Sequence, residues 1–283
     1  MLMDTHCHIF PTFFKQDAER IALSSLNKEV FLNLVGTQYG TSVEAVAMAE
    51  KFDNAYASIG LHPTHVFPEY FGSHEVDDRT LETDFDYEKY KKLALGSKKV
   101  VAIGECGLDT YRLPESANRS EVIEKQTAVF LKQADLAREL SLPLVIHVRT
   151  AHEEMIEVLK REAALGKPLR GVIHCYDNNW HYAEQFLQLG FYIGFTGIIT
   201  FPPQKNNPKL AEDRHEVLTK CPLDRIVLET DSPFLAPVPY RGKTAEPWMV
   251  EEVAKKIAEI KGLGLALVQE QTFKNSKALF GLE

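Results

Sequence analysis

Eight short apolar, β-branched runs recur along the 283-residue chain, at 3–8, 31–36, 56–61, 100–104, 144–147, 172–174, 191–194 and 226–228. Longer amphipathic segments separate them. The clearest, 121–140, carries Val122, Val129, Ala137 and Leu140 on one helical stripe; others lie at 42–52, 151–165, 180–189 and 209–221. Pro247 opens a further helical stretch over 248–261, and a last helix follows Leu265. A strand–helix unit repeated eight times predicts an α/β fold, a closed parallel (β/α)8 TIM barrel, because each crossover helix covers a strand that is buried on both faces. No linker or low-complexity stretch divides residues 1–283, so they are read as a single domain. The segment 64–99, acidic and aromatic, is too long for a simple connection and is read as a surface excursion before the third helix.

Thirty-two basic residues against forty acidic ones give a net charge of −8. That balance excludes a protein that coats nucleic acid through a broad basic surface, but not one that holds a few phosphates in a single pocket. No apolar run is long enough to span a bilayer, and the first residues lead straight into a histidine motif with no room for a signal peptide. A cytoplasmic protein with no membrane partner is therefore expected. The four cysteines, Cys7, Cys106, Cys175 and Cys221, lack Cys-x-x-Cys spacing and are read as reduced wall residues that point away from the histidine face.

The chemistry sits at the ends of the apolar runs. In Asp4-Thr5-His6-Cys7-His8 the two histidines are one residue apart. On a strand they share a face, with Cβ atoms about 7 Å apart, and can clamp a divalent cation. Glu105 follows the fourth run, His147 ends the fifth, His174 the sixth, and Asp231 closes the eighth. All six would meet at the carboxyl-terminal mouth of the barrel, where active sites of this fold lie. A single buried histidine is usually a hydrogen-bonded core residue; six coincident placements point to metal. Four histidines and two carboxylates exceed what one tetrahedral ion requires, and they suit two divalent ions bridged by a carboxylate and a water. The histidine count favours Zn²⁺, Mn²⁺ or Fe²⁺ over Mg²⁺, which prefers oxygen ligands.

These residues fall in blocks that resemble the TatD-like metal-dependent hydrolases of the amidohydrolase superfamily. The blocks are DTHCH at the start, IGLHP at 59–63, IGECGLD at 103–109, LPLVIHVRTA at 142–151, VIHCY at 172–176, FTGIITF at 195–201, LETDSPFLAP at 228–237 and YRGK at 240–243. The resemblance implies a (β/α)8 barrel and a divalent-metal-dependent deoxyribonuclease, typically a 3′–5′ exonuclease acting on DNA ends, single-stranded ones in particular. It also implies that His6, His8, Glu105 and Asp231 hold one ion, that Glu105, His147 and His174 hold the second, and that Mg²⁺ can serve beside Zn²⁺ or Mn²⁺. Asp231 is the expected general base or orienter of the attacking water, with Glu105 as the bridging carboxylate.

Around this set, Arg241, Lys243 and Arg149 are candidate phosphate contacts, and surface ion pairs are the alternative for each. His62 should face the mouth and touch substrate. Glu229, two residues before Asp231, should orient a ligand. His65 carries no assignment, while His74, His152, His181 and His215 are read as surface residues. Two departures from the family pattern, Asp177-Asn178-Asn179 after the HCY block and Thr244-Ala245 in the closing segment, fall on mouth loops. They keep open a dinuclear hydrolase of another small ester, lactone or amide, since this barrel hosts many chemistries. A monomer is expected.

Overall fold

The computed structural model describes residues 1–67, 82–203 and 207–283. Eight parallel strands run in chain order: β1 (Leu2–Cys7), β2 (Val30–Val35), β3 (Ala55–Ile59), β4 (Val100–Asp109), β5 (Leu144–Arg149), β6 (Gly171–Ile173), β7 (Tyr192–Phe195) and β8 (Ile226–Leu228). Each pairs with its sequence neighbour, and a bridge between Cys7 and Ser232 brings the last strand end back to the first, nearly closing the barrel. The expected (β/α)8 TIM barrel is the fold.

The helices among the described residues are α1 (Pro11–Phe14), α2 (Ala18–Leu26), α3 (Tyr39–Ala49), α4 (Tyr87–Gly96), α5 (Arg119–Glu139), α6 (His152–Ala164), α7 (Trp180–Gln188), α8 (Lys209–Lys220), α9 (Val250–Lys261) and α10 (Leu265–Phe280). Capping chemistry sets several starts. Asp86, Asn118 and Asn179 accept hydrogen bonds from the backbone of the first turns of α4, α5 and α7. Gly262 and Gly281 end α9 and α10 in the left-handed region that glycine adopts without a Cβ penalty.

Apolar packing fills two zones. The larger lies between the strands and the helical ring, with Phe10, Phe130, Phe186 and Phe191 fully buried. The smaller gathers Met3, Val101, Val145, Val172 and Val227 near the amino ends of their strands, against Leu279 and Phe280 of α10. That plug closes the floor of the barrel and leaves its polar residues to the opposite, carboxyl-terminal mouth. No helix among the described residues is long and apolar enough to cross a membrane.

Of the segment 64–99, Tyr87–Gly96 is helix α4 and Pro63–Val66 is a short 3-10 turn; residues 68–81, including His74, lie outside the described part.

Candidate metal centre

His6 lies within β1 and His8 just past it; their rings meet edge to face with centroids 5.0 Å apart. Two register shifts aim the central ligands. The β1–β2 pairing slips between Asp4 and Cys7, and the β4–β5 pairing slips between Ile103 and Cys106, so His6 and Glu105 each sit inside an irregular step. Such irregularities re-aim a side chain next to an active site. β4 also continues past Gly104 to Asp109. At Gly107, where φ is 146°, a Cβ would overlap the His147 carbonyl, so only glycine permits β4 and β5 to approach this closely.

Glu105 is the hub. Its carboxylate lies 3.3 Å from His6 Nε2, 3.5 Å from His62 Nε2, 2.9 Å from His147 Nδ1 and 3.9 Å from His174 Nε2. Asp231 forms a second pole, 3.3 Å from His8 Nε2, 3.8 Å from His6 Nε2 and 3.7 Å from His174 Nε2. His6 and His174 stack with centroids 3.4 Å apart. Asp231 itself adopts a left-handed backbone, φ 61°, a conformation Asp tolerates better than most residues.

Donor atoms fall into overlapping groups, each within 4.8 Å: His6, His8 and Asp231; His6, Glu105 and His174; His62, Glu105 and His147; His174, Cys175 and Asp231. All six expected ligands are thus brought together. Their grouping differs from the expected division, because His174 sits with His6 and Asp231 while His147 sits with His62. A further member is Cys175, expected to point away as a wall residue. β6 ends at Ile173, so strand alternation no longer governs it; with φ 45° its Sγ turns toward His174 and Asp231, 3.2 Å from Thr196 Oγ1. Cys7, Cys106 and Cys221 are buried and free, as expected of wall residues.

The electrostatics fit a cation. Neither ring nitrogen of buried His6 meets a well-aligned hydrogen-bond partner, an orphaning that is costly unless a ligand satisfies it. Burial and the neighbouring His174 push His6 down to about 4, so it is neutral and ready to donate a lone pair. Burial would raise Glu105, but the histidines around it hold it well below the usual carboxylate range; Asp231 is lowered the same way by His8, His174 and His6. Burial opposes charge on His147 too, yet hydrogen bonds to Asp109 and Glu105 raise it to about 10. His147 is therefore protonated in the ion-free site and would release that proton on binding a metal; with it, four imidazoles around two ionised carboxylates form a donor set suited to divalent ions.

Outer contacts fix the rings. His8 Nδ1 is 2.7 Å from the Val35 carbonyl. His174 Nδ1 lies 2.9 Å from Glu229, the orienting role expected of that glutamate; Gly194 leaves room for it, since a Cβ there would strike the Glu229 carboxylate. His147 Nε2 lies 2.9 Å from Asp109, a partner not identified from sequence. Gln126 of α5 accepts from the Asp109 amide and donates to the carbonyls of Asp109 and Pro63, while Gln133 accepts from and donates to the Leu61 backbone. These glutamines tie the His62 loop to the end of β4. Their sequence signal is a pair of polar residues, seven apart, on the apolar face of a long helix.

Of the candidate substrate contacts, His62 reaches the cluster, with Nδ1 2.7 Å from Thr64 Oγ1. Arg149, Arg241 and Lys243 are exposed. The Arg149 guanidinium lies 3.7 Å over the Tyr111 ring, that of Arg241 3.8 Å over Phe201, and Lys243 Nζ 5.7 Å from the Tyr240 centroid. His181 and His215 are exposed as expected. His152 is not a surface residue. It opens α6 facing inward, buried beneath Asn178 and stacked on Tyr182. In the divergent mouth loop, Asp177 receives two hydrogen bonds from Arg214, at 2.6 and 2.8 Å.

A parallel barrel with a histidine–carboxylate cluster at its carboxyl-terminal mouth defines a metal-dependent hydrolase. The chain belongs to the TatD related DNase family, which matches residues 3–281. The Bacillus subtilis (strain 168) protein named uncharacterized metal-dependent hydrolase YabD is 36% identical over 281 residues, 99% of each chain. Escherichia coli K12 YcfH, named likewise, is 32% identical over 286 residues, 100% of this chain and 96% of its own. The crystal structure of YjjV, a TatD homologue from E. coli K12, superposes with a TM-score of 0.80 at 26% identity, covering 100% of this chain and 98% of that one.

Proposed function

We propose that the protein is a divalent-metal-dependent deoxyribonuclease that shortens DNA from its 3′ end, with single-stranded ends as substrate and a monomer in the cytoplasm as its working form. The observation that carries this reading is the rim. Three cation–aromatic pairs, Arg149 with Tyr111, Arg241 with Phe201 and Lys243 with Tyr240, stand at the carboxyl-terminal ends of the strands or on the segments that follow them, on the same side of the barrel as the donor cluster. Basic groups interleaved with aromatic rings suit a flexible strand whose phosphates and bases both need partners.

By the division the family resemblance implies, His6, His8, Glu105 and Asp231 would hold one divalent ion and Glu105, His147 and His174 a second, whether Zn²⁺, Mn²⁺ or Mg²⁺; Glu105 is the member shared by the group of His6 and His174 and the group of His62 and His147. Ions held by these residues would supply Lewis acidity to the phosphodiester and a lowered pKa to water. Asp231, ionised and partly exposed, accepts the proton of the attacking water, and Glu105 holds the histidine cage in register. His62 faces the scissile region, and Arg149, Arg241 and Lys243 neutralise flanking phosphates. The divergent loop pinned by the Asp177–Arg214 pair favours, as a second reading, a dinuclear hydrolase of a small ester, lactone or amide.

End-labelled single-stranded DNA with Mg²⁺ or Mn²⁺ should shorten stepwise from the 3′ end, and EDTA should stop it. Survival of the DNA while a lactone or phosphoester panel is turned over would overturn the nuclease reading.

A further inference from the structure

Phe234 is one of the few large apolar side chains left open, at 42% exposure. Its position is not that of a loose surface ring. The Phe234 amide donates to the Asp231 carbonyl at 2.8 Å, so the ring stands one tight turn from a carboxylate of the metal centre. Two rings buttress it. Phe13 meets it at 85° with centroids 5.8 Å apart, and His8 at 67° and 6.4 Å. Phe13 also packs against His8, at 5.4 Å. Both contacts are steeply inclined rather than parallel, so neither neighbour lies flat on the Phe234 ring. An aromatic side chain 42% exposed and braced beside the ligands has a cost in water that a bound apolar or aromatic group would relieve.

We infer that Phe234, braced by Phe13, is a stacking subsite for a planar heteroaromatic group, the base of the terminal nucleotide, an assignment that rests on the nuclease reading above. Stacking on a phenyl face tolerates every base, because each presents a π-face. The subsite would therefore select for a base being present rather than for its identity. Its nearness to Asp231 and His8 places the selected base beside the scissile bond, distinct from the outer cation–aromatic rim.

The test compares oligonucleotides that end in an ordinary 3′ nucleotide with ones that end in an abasic residue, using metal-loaded protein. The parent should favour the base-bearing end by roughly 5- to 140-fold in kcat/KM, the span of one base–aromatic stack. Phe234→Ala should collapse that ratio toward one, Phe234→Trp should preserve it, and Phe234→Leu should fall between. A fall of equal size on both substrates, or no preference in the parent, would overturn the inference. Bound metal, measured by elemental analysis, separates a stacking loss from a disturbed Asp231. Should DNA prove not to be a substrate, bis(4-nitrophenyl) phosphate and methyl 4-nitrophenyl phosphate take its place. A preference for the second aryl group that disappears in Phe234→Ala keeps the aromatic subsite while the nuclease reading falls, and absence of any such preference removes both.

Discussion

Asp109 Oδ2 lies 2.9 Å from Nε2 of His147, whose other ring nitrogen lies 2.9 Å from Glu105. The imidazole is thus held between a carboxylate at the centre of the site and one outside it. Asp109 is in turn anchored by the Tyr111 amide at 2.8 Å and, through its backbone, by Gln126. Asp109→Asn keeps the shape and removes the charge that orients the ring and raises its basicity. Losing such an outer partner typically costs about 10- to 100-fold in metal affinity or activity. We expect that loss in metal titrations and in initial rates; unchanged values in both would show that His147 does not depend on Asp109. Glu229→Gln should act in the same way through His174.

Glu105 contacts four histidines, so its removal should be more severe than that of any outer partner. Glu105→Ala deletes the shared counter-charge of His6, His62, His147 and His174 together. The charge stabilisation that a metal site supplies is worth several kcal/mol, so kcat should fall at least about a thousandfold. Asp231→Ala should approach the same loss while sparing the His147 side of the site. Elemental analysis should find less metal in Glu105→Ala than in the parent, and full activity in either variant would refute the ligand assignment.

The barrel was legible because strands buried on both faces must be continuous β-branched runs, and 226–228 reads that way to the residue. β4 was not, since Gly104 looks like a terminator while the strand in fact runs on to Asp109. The six ligands announced themselves as polar residues at the ends of apolar runs. Asp109, Gln126 and Gln133 did not, because each acts on a partner 17 to 72 residues away. His152 reads from sequence as a surface residue, and only the packing of α6 against α7 buries it. Cys175 breaks the expected alternation because it lies two residues beyond the end of β6, where strand geometry no longer sets the direction of a side chain.

The rim cations should affect long substrates more than short ones. Lys243 and Arg241 sit on the exposed loop after β8 and make no side-chain ion pair with an acidic group among the described residues, which leaves them available to phosphate. Lys243→Ala should weaken DNA binding across all sequences and lower the salt dependence, the slope of log K against log[salt], by about one. Hydrolysis of a small diester should change little. Equal losses on both substrates would place Lys243 at the reacting group instead of along the strand.

Two buried histidines outside the expected ligand set should make the metal-free protein acid-labile. Burial, with the neighbouring His62, pushes His65 down to about 4, and burial, with the neighbouring His147, does the same to His152. In the unfolded chain both titrate near the ordinary value of 6.5. The unfolded state therefore takes up protons first, and the stability these residues contribute, present above pH 6.5, is lost as the pH falls toward 4. A shift from about 6.5 to 4 corresponds to about 3 kcal/mol per residue at the acid limit. His147, raised to about 10, gains its contribution as the pH falls from about 10 to 6.5 and holds it below, so it does not mask an acid loss read below pH 6.5. The lowered carboxylates lose their contribution only below their ordinary values, 3.8 for Asp109 and Asp231 and 4.5 for Glu105. Asp4, raised to about 8 by burial, gains stability as the pH falls through this range and offsets part of the histidine loss. Urea unfolding in EDTA between pH 6.5 and 4.5 should therefore show a steeper acid loss in the parent than in His152→Gln, even if that variant is less stable at neutral pH. A parent slope retained in the variant would assign the acid loss to other groups.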